Sequence, residues 1–261
     1  MNILSFLYND LIYRPLFNLL VFLYDIIPGN DIGIAIILLT IIVRLALYKV
    51  NGKSIKSQRE LQEIQPEIKE IQQKYKDNKE KQAQELMAVY QKHKINPFSG
   101  CLPLLIQFPI IIALYRVFLD GFRDESLSLL YSFVPNPGHL DSISFGGLVD
   151  LSSPYLLFAL LASVLQYFQT KSLMDVAKKK QMENQSSDEK KVEAEKTPEE
   201  KMQDFSQSLT KNMMYMMPVI TFLFAQRLPS GLALYWSVTT LFAIVQQYFI
   251  IRKRKEETKS A

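Results

Sequence analysis

The sequence predicts an all-α, polytopic membrane protein with five spanning helices and a helical hairpin on the cytoplasmic side. Three observations point there. Apolar residues clump into runs of membrane-spanning length, and charges crowd into 53–94, 171–211 and a tail from Arg252. The stretch after the first run switches to the three- and four-residue spacing of a soluble amphipathic helix. Average composition hides this pattern: 261 residues, 48% of them hydrophobic, with 30 Lys+Arg against 26 Asp+Glu, would suit a soluble domain. Only the clumping excludes a single buried core. The lone Cys101 allows no internal disulfide and no thiolate cluster for zinc or iron–sulfur binding. A formal charge of +4 with bases and acids intermixed does not mark a nucleic-acid surface.

Residues 1–30 are rich in Leu, Phe, Ile and Tyr but carry Asp10, Arg14, Pro15 and Asp25, each costly at a bilayer centre. This segment is expected to lie in the outer interface as one or two amphipathic helices, with Phe6, Tyr13, Phe17 and Tyr24 at headgroup depth. Spans follow at 31–50, 98–119, 154–171, 212–226 and 231–251. A helix needs roughly 20 apolar residues to cross about 30 Å of hydrocarbon, and several of these runs fall near the lower limit. Only twelve residues separate Asp31 from Arg44, about 18 Å of helix, so Arg44 lies within the membrane or the bilayer thins around it. Lys and Arg collect in 51–97, 172–211 and 252–261. That places these segments in the cytoplasm and leaves the loop 120–153 and the turn 227–230 outside. The amino terminus is then outside and the carboxy terminus inside.

Within 51–97, Leu61, Ile64, Ile68, Ile71 and Tyr75 form the seam of a coiled coil, and Asp77-Asn78 breaks it. A second helix over 79–93 presents Leu86, Met87 and Tyr90, which gives an antiparallel hairpin whose first helix Pro66 is expected to kink or to deprive of one hydrogen bond. The hairpin either packs only on itself or docks a client chain or targeting machinery. Residues 178–204 have almost no apolar side chains to offset ordering entropy, so a mobile linker or a ragged helix is expected. The basic tail 252–261 reads as a topology anchor rather than a ribosome-binding domain. The prolines and glycines of 120–153 suggest loops around short amphipathic pieces.

No catalytic signature survives inspection, and neither enzymatic activity nor a cofactor or metal is expected. Gly52-Lys53-Ser54 resembles the end of a phosphate-binding loop, but Leu47 stands where its first glycine belongs. His93 and His139 fall on opposite sides of the membrane. Arg44 is the unusual residue: a guanidinium inside a span costs about 2.5–3.5 kcal/mol on insertion scales, so it faces protein or water, or snorkels to the cytoplasmic surface. Other polar residues favour a wet interior. Thr40 lies one turn before Arg44. Gln166, Gln169 and Thr170 share one face of the third span, and Gln107 sits between Pro103 and Pro109 in the second. Asn212 opens the fourth, and Gln246 lies toward the cytoplasmic end of the fifth. Each alone suits a helix-to-helix hydrogen bond. Together they fit a polar cavity open to the cytoplasm, and with no acidic residue inside any span beyond Asp31 at the outer edge of the first, Arg44 is left to attract an anionic partner.

The stretch N-P-F-S-G-C-L-P-L-L-I-Q-F-P-I-I-I-A-L-Y at 96–115 closely resembles the signature of the YidC family of membrane protein insertases, relatives of the mitochondrial Oxa and chloroplast Albino proteins. I-I-V-R at 41–44, L-Q-E-I-Q-P-E-I at 61–68 and L-P-S-G-L-A-L-Y at 228–235 match it too, in order along essentially the whole chain. The resemblance implies a five-helix insertase core around a hydrophilic groove open to cytoplasm and lipid. Arg44 would be the groove arginine, Thr40 and Gln107 polar groove positions, and Tyr235 and Trp236 the contact with an inserting helix. It further implies client membrane proteins and the lipid bilayer as partners, with the Sec translocon, the signal recognition particle receptor and the ribosome as further candidates, and the bacterial inner membrane as location. Without the extra amino-terminal span, periplasmic domain or lipoprotein cysteine of many members, a minimal bacterial version is expected. Two other classes stay open: a small-anion transporter or channel using Arg44, disfavoured by the absence of an internal repeat, and a scaffold whose working part is the hairpin.

Overall fold

The computed structural model describes residues 6, 8–96, 102–120, 124–184 and 216–260. A π-helical turn, Asn9–Tyr13, leads into α1 (Arg14–Ile26), then α2 (Ile32–Ala46), α3 (Tyr48–Glu63), α4 (Gln65–Lys74), α5 (Lys79–Lys92) and α6 (Leu102–Asp120). After a 3₁₀ turn, Asp124–Leu129, come two short antiparallel strands, β1 (Ile143–Ser144) and β2 (Val149–Asp150), with Ile143 opposite Asp150 and Ser144 opposite Val149. The chain continues with α7 (Leu156–Asn184), α8 (Met216–Ala225) and α9 (Ser230–Ser260). It divides into two compact units. One comprises Met1–Tyr48, Leu104–Gln169 and Met214–Gln246; the other comprises Lys49–Pro103, Thr170–Met213 and Gln247–Ala261.

The first unit is built on α1 and α2. Phe17, Leu20 and Val21 share a core with Ile32, Ile36 and Leu39 of α2, Leu114 and Val117 of α6, and Leu234 of α9. Asp31 caps α2: its Oδ1 accepts from the N–H groups of Gly33 at 2.8 Å and Ile34 at 3.1 Å, donors that the first helical turn leaves unpaired. Its Oδ2 accepts from Phe145 N–H at 2.5 Å, which ties the β1–β2 turn to the start of α2. That turn is held in turn by Asp150, whose carboxyl is drawn down to about 2, first by the Ser152 hydroxyl and then by Ser142, the Ser152 N–H and Ser153. Ser230 and Gly231 then fasten the start of α9 to the same loop: Ser230 Oγ donates to the Asp150 carbonyl and Gly231 N–H to the Leu151 carbonyl, both at 3.0 Å. Small residues Ala159, Ala225 and Ala233 form a second cluster, which lets α7, α8 and α9 approach closely.

The outward faces are apolar. Leu105, Phe108 and Ile112 on α6, Leu156, Leu157, Leu160, Leu161, Val164 and Phe168 on α7, and Leu241 and Val245 on α9 are all exposed. Water would penalise such a surface, whereas acyl chains accept it. Ser230–Arg252, at 23 residues, is by itself long and apolar enough to cross a membrane. Ile32–Ala46 passes only together with Tyr48–Glu63, and Leu105–Leu119 and Met216–Ala225 are shorter apolar helices.

The helix bounds differ from those of the expected segments. The segment expected as one span over 31–50 breaks at Leu47, where the last turn of α2 closes and α3 begins. The third span runs on without interruption to Asn184, and the fifth through the basic tail to Ser260. Of the four aromatics expected at headgroup depth, Phe6 is exposed, but Tyr13, Phe17 and Tyr24 are buried in the core because α1 turns its aromatic face onto α2. Residues 185–204 of the expected linker, and residues 212–215 at the start of the expected fourth span, lie outside the described residues.

The second unit contains α3, α4 and α5. Ile64, Ile68, Val89 and Ile95 are buried together, with Leu61, Ile71, Leu86 and Tyr90 packed against them. Met87, expected on the same face, is exposed. Pro66 follows an interruption of the helix, as its missing N–H leads one to expect. The ladder breaks at Ile64, and Pro66 sits in the first turn of α4, where its missing N–H costs nothing. Asn78 caps α5, its side chain accepting from Lys81 N–H at 3.0 Å. Across the pair, Glu67 bonds Lys92 at 2.9 Å and His93 at 2.7 Å, and these contacts, Lys92 first, hold its carboxyl below the usual range.

Candidate functional site: a polar cluster on three helices

Because α2 ends at Ala46, Arg44 lies in its last turn, where the unpaired carbonyls of the helix end favour a cation. Its side chain is half-buried, and Nε is buried without a hydrogen-bond partner among the described residues. A guanidinium carries five N–H donors and no acceptor, so a buried one without a protein partner is satisfied by water or an anion.

The Tyr235 hydroxyl lies within electrostatic reach of Arg44. Tyr235 is buried on α9, and its hydroxyl accepts a hydrogen bond from Gln107 Nε2 on α6. Three helices therefore bring a cation, an amide and a phenol together. Gln107 is half-buried, immediately beside the exposed Phe108, so the cluster sits at the edge of the apolar surface. Thr239, one turn beyond Tyr235, is buried on α9.

The other expected site residues are placed differently. Thr40 is fully buried, and its hydroxyl donates to the Ile36 carbonyl of its own helix at 2.6 Å, so it presents little to a cavity. Gln246 is buried, and its Nε2 donates at 2.8 Å to the Tyr48 carbonyl, where α3 begins. It supports the helix break, and its Oε1 has no partner among the described residues. Gln166 and Gln169 are half-buried on α7, as is Thr170, which falls in the second unit. Trp236 is half-buried next to Tyr235. Asn212 lies outside the described residues. The Gln107–Tyr235 bond was not visible to sequence reasoning, because its partners are 128 positions apart. Arg116 was also passed over, although an arginine inside an apolar run is the same signal that singled out Arg44.

A predominantly helical fold with apolar outer faces, in which Arg44, Gln107 and Tyr235 form a polar cluster at the edge of the apolar surface, is that of a helical membrane protein. Residues 22–258 match the model of the 60Kd inner membrane protein family, and the chain belongs to that family. It is 31% identical over 245 residues to the membrane protein insertase YidC of Fusobacterium nucleatum, covering 93% of this chain and 98% of that relative. It is 32% identical to the proteins of the same name from Nitratidesulfovibrio vulgaris and Hahella chejuensis. Those matches again cover 93% of this chain, but only 39% and 35% of the relatives.

Proposed function

We propose that this protein is an insertase and chaperone of the bacterial inner membrane that moves client transmembrane helices from the cytoplasm into the bilayer. The observation that carries this reading is Arg44: half-buried, with an unpartnered Nε, beside the Gln107–Tyr235 bridge. In the proposed arrangement, residues 1–30 lie on the outer face, the hairpin 51–97 and the carboxy terminus are cytoplasmic, and five spans enclose a groove open to cytoplasm and lipid.

The physical problem is the polar flank of a client helix, each charge of which costs several kcal/mol at the bilayer centre. A hydrated groove that reaches partway across shortens that barrier, and helices as short as α2 thin the surrounding lipid and shorten it further. An acidic flank enters and pairs with Arg44, and the client's apolar stretch then slides past Tyr235 and Trp236 into lipid. Burying about 20 apolar residues in hydrocarbon supplies the driving force, so the protein acts without nucleotide hydrolysis or a cofactor. Client chains and lipid are the partners this mechanism requires; the Sec translocon, the signal recognition particle receptor and the ribosome would feed clients to it.

The test is purified protein in liposomes without nucleotide, offered a small single-spanning client with an acidic translocated flank and scored by protease protection. Arg44→Ala is expected to lower insertion about tenfold or more, and Arg44→Lys to keep most of it, since a point charge suffices to draw in a carboxylate. Full activity of Arg44→Ala, or permeability of the empty liposomes to chloride with no client inserted, would overturn the reading; the second result belongs to an anion channel.

A further inference from the structure

We propose that Arg116, framed by Tyr8, Tyr13 and Asn9, binds the phosphodiester of an anionic phospholipid headgroup. The exposed face of α6 runs Leu105, Phe108, Ile112, Arg116 and Leu119, at spacings of three and four. Four large apolar side chains and one guanidinium thus share a single outward stripe. A stripe of this kind faces acyl chains, and an arginine within it must meet an anion or water where the chains end. Arg116 lies in the last part of α6, at the end that the proposed topology puts outside.

The guanidinium is held in place. Its Nη1 donates to Asn9 Oδ1 at 3.1 Å, and its central carbon lies 5.7 Å from the Tyr8 ring centroid and 5.2 Å from that of Tyr13. The backbone makes this frame possible. Side chains five apart on an α-helix diverge by about 140° around the axis. The π-helical turn Asn9–Tyr13 is wider, which brings Tyr8 and Tyr13 toward one face. Tyr13 is itself buried and stacked on Phe17, with centroids 6.1 Å apart and planes 6° from parallel, so the platform is rigid.

Asn9 takes one of the five N–H donors and the Tyr8 hydroxyl lies within reach of another, so donors of the planar guanidinium remain for two oxygens of a phosphate. Among the described residues Arg116 forms no ion pair.

The test follows thermal unfolding of the detergent-purified full chain, titrated with dioctanoyl phosphatidylglycerol, dioctanoyl phosphatidylcholine or inorganic phosphate. Phosphatidylglycerol is expected to raise the midpoint saturably and at lower concentration than the other two. Arg116→Gln should weaken its apparent affinity roughly tenfold, with Arg116→Lys and Asn9→Ala falling between. Equal shifts with phosphatidylcholine or with free phosphate would overturn the assignment, as would unchanged affinity in Arg116→Gln. Should that variant not fold, unchanged affinity in both Arg116→Lys and Asn9→Ala would do the same. No client enters this assay, so its outcome is independent of the insertase reading.

Discussion

Position 231 has no room for a side chain: a Cβ there would lie 2.6–2.9 Å from ring atoms of Phe118. Gly231→Ala is therefore expected to cost about 1–3 kcal/mol by overpacking, and Phe118→Leu to recover part of the loss, measured by thermal unfolding of the purified protein. The motif around this glycine was legible as a family likeness, but its reason was not, because Phe118 lies on a distant helix and no local pattern announces it. Asp150 makes a different prediction. Its carboxyl titrates at about 2 when folded against an ordinary value of 3.8, so its contribution is complete above 3.8 and disappears as pH falls through about 2. The difference in unfolding midpoint between wild type and Asp150→Asn should accordingly be constant near neutrality and shrink across that window. A difference that persists at pH 2 would mean that the asparagine disturbs the turn through its shape.

The hairpin elements show where periodicity informs and where it stops. Spacings of three and four located the seam of Leu61, Ile64, Ile68 and Ile71, and all four contribute to one cluster, because a helix buries whatever recurs on one face. An effect of Pro66 on the helix, a kink or a lost hydrogen bond, was legible, but not which, since a proline tolerated in the first turn and a proline that bends a helix look alike in sequence. The hairpin core is small, so Ile68→Ala should cost about 2–4 kcal/mol locally. Hydrogen exchange should speed up over α4 and α5 while the amides of α2 around Ile36–Leu39 stay protected. Acceleration in both would show that the hairpin and the first unit unfold as one. Helix ends were the least legible feature: hydropathy carried the first span to residue 50, whereas the turn at Leu47 ends α2 sooner and moves Arg44 from mid-span to the last turn.

Across the helices of the first unit, large apolar residues face outward while Arg44, Gln107 and Tyr235 meet in one polar cluster, a distribution that water would penalise. That distribution was legible from the clumped composition, and Arg44 from its cost. Which polar residues join Arg44 was not, because interhelical distances decide it. Gln107 and Tyr235 do; Thr40 bonds its own helix, and Gln246 holds the Tyr48 carbonyl. The central claim is that the Arg44 position is bathed by cytoplasmic water. It is tested most directly by Arg44→Cys in a Cys101→Ser background, challenged in sealed vesicles with a membrane-impermeant thiol reagent from either side. Modification from the cytoplasmic side alone is the result expected of a half-crossing groove; protection from that side, or modification only from outside, would contradict it.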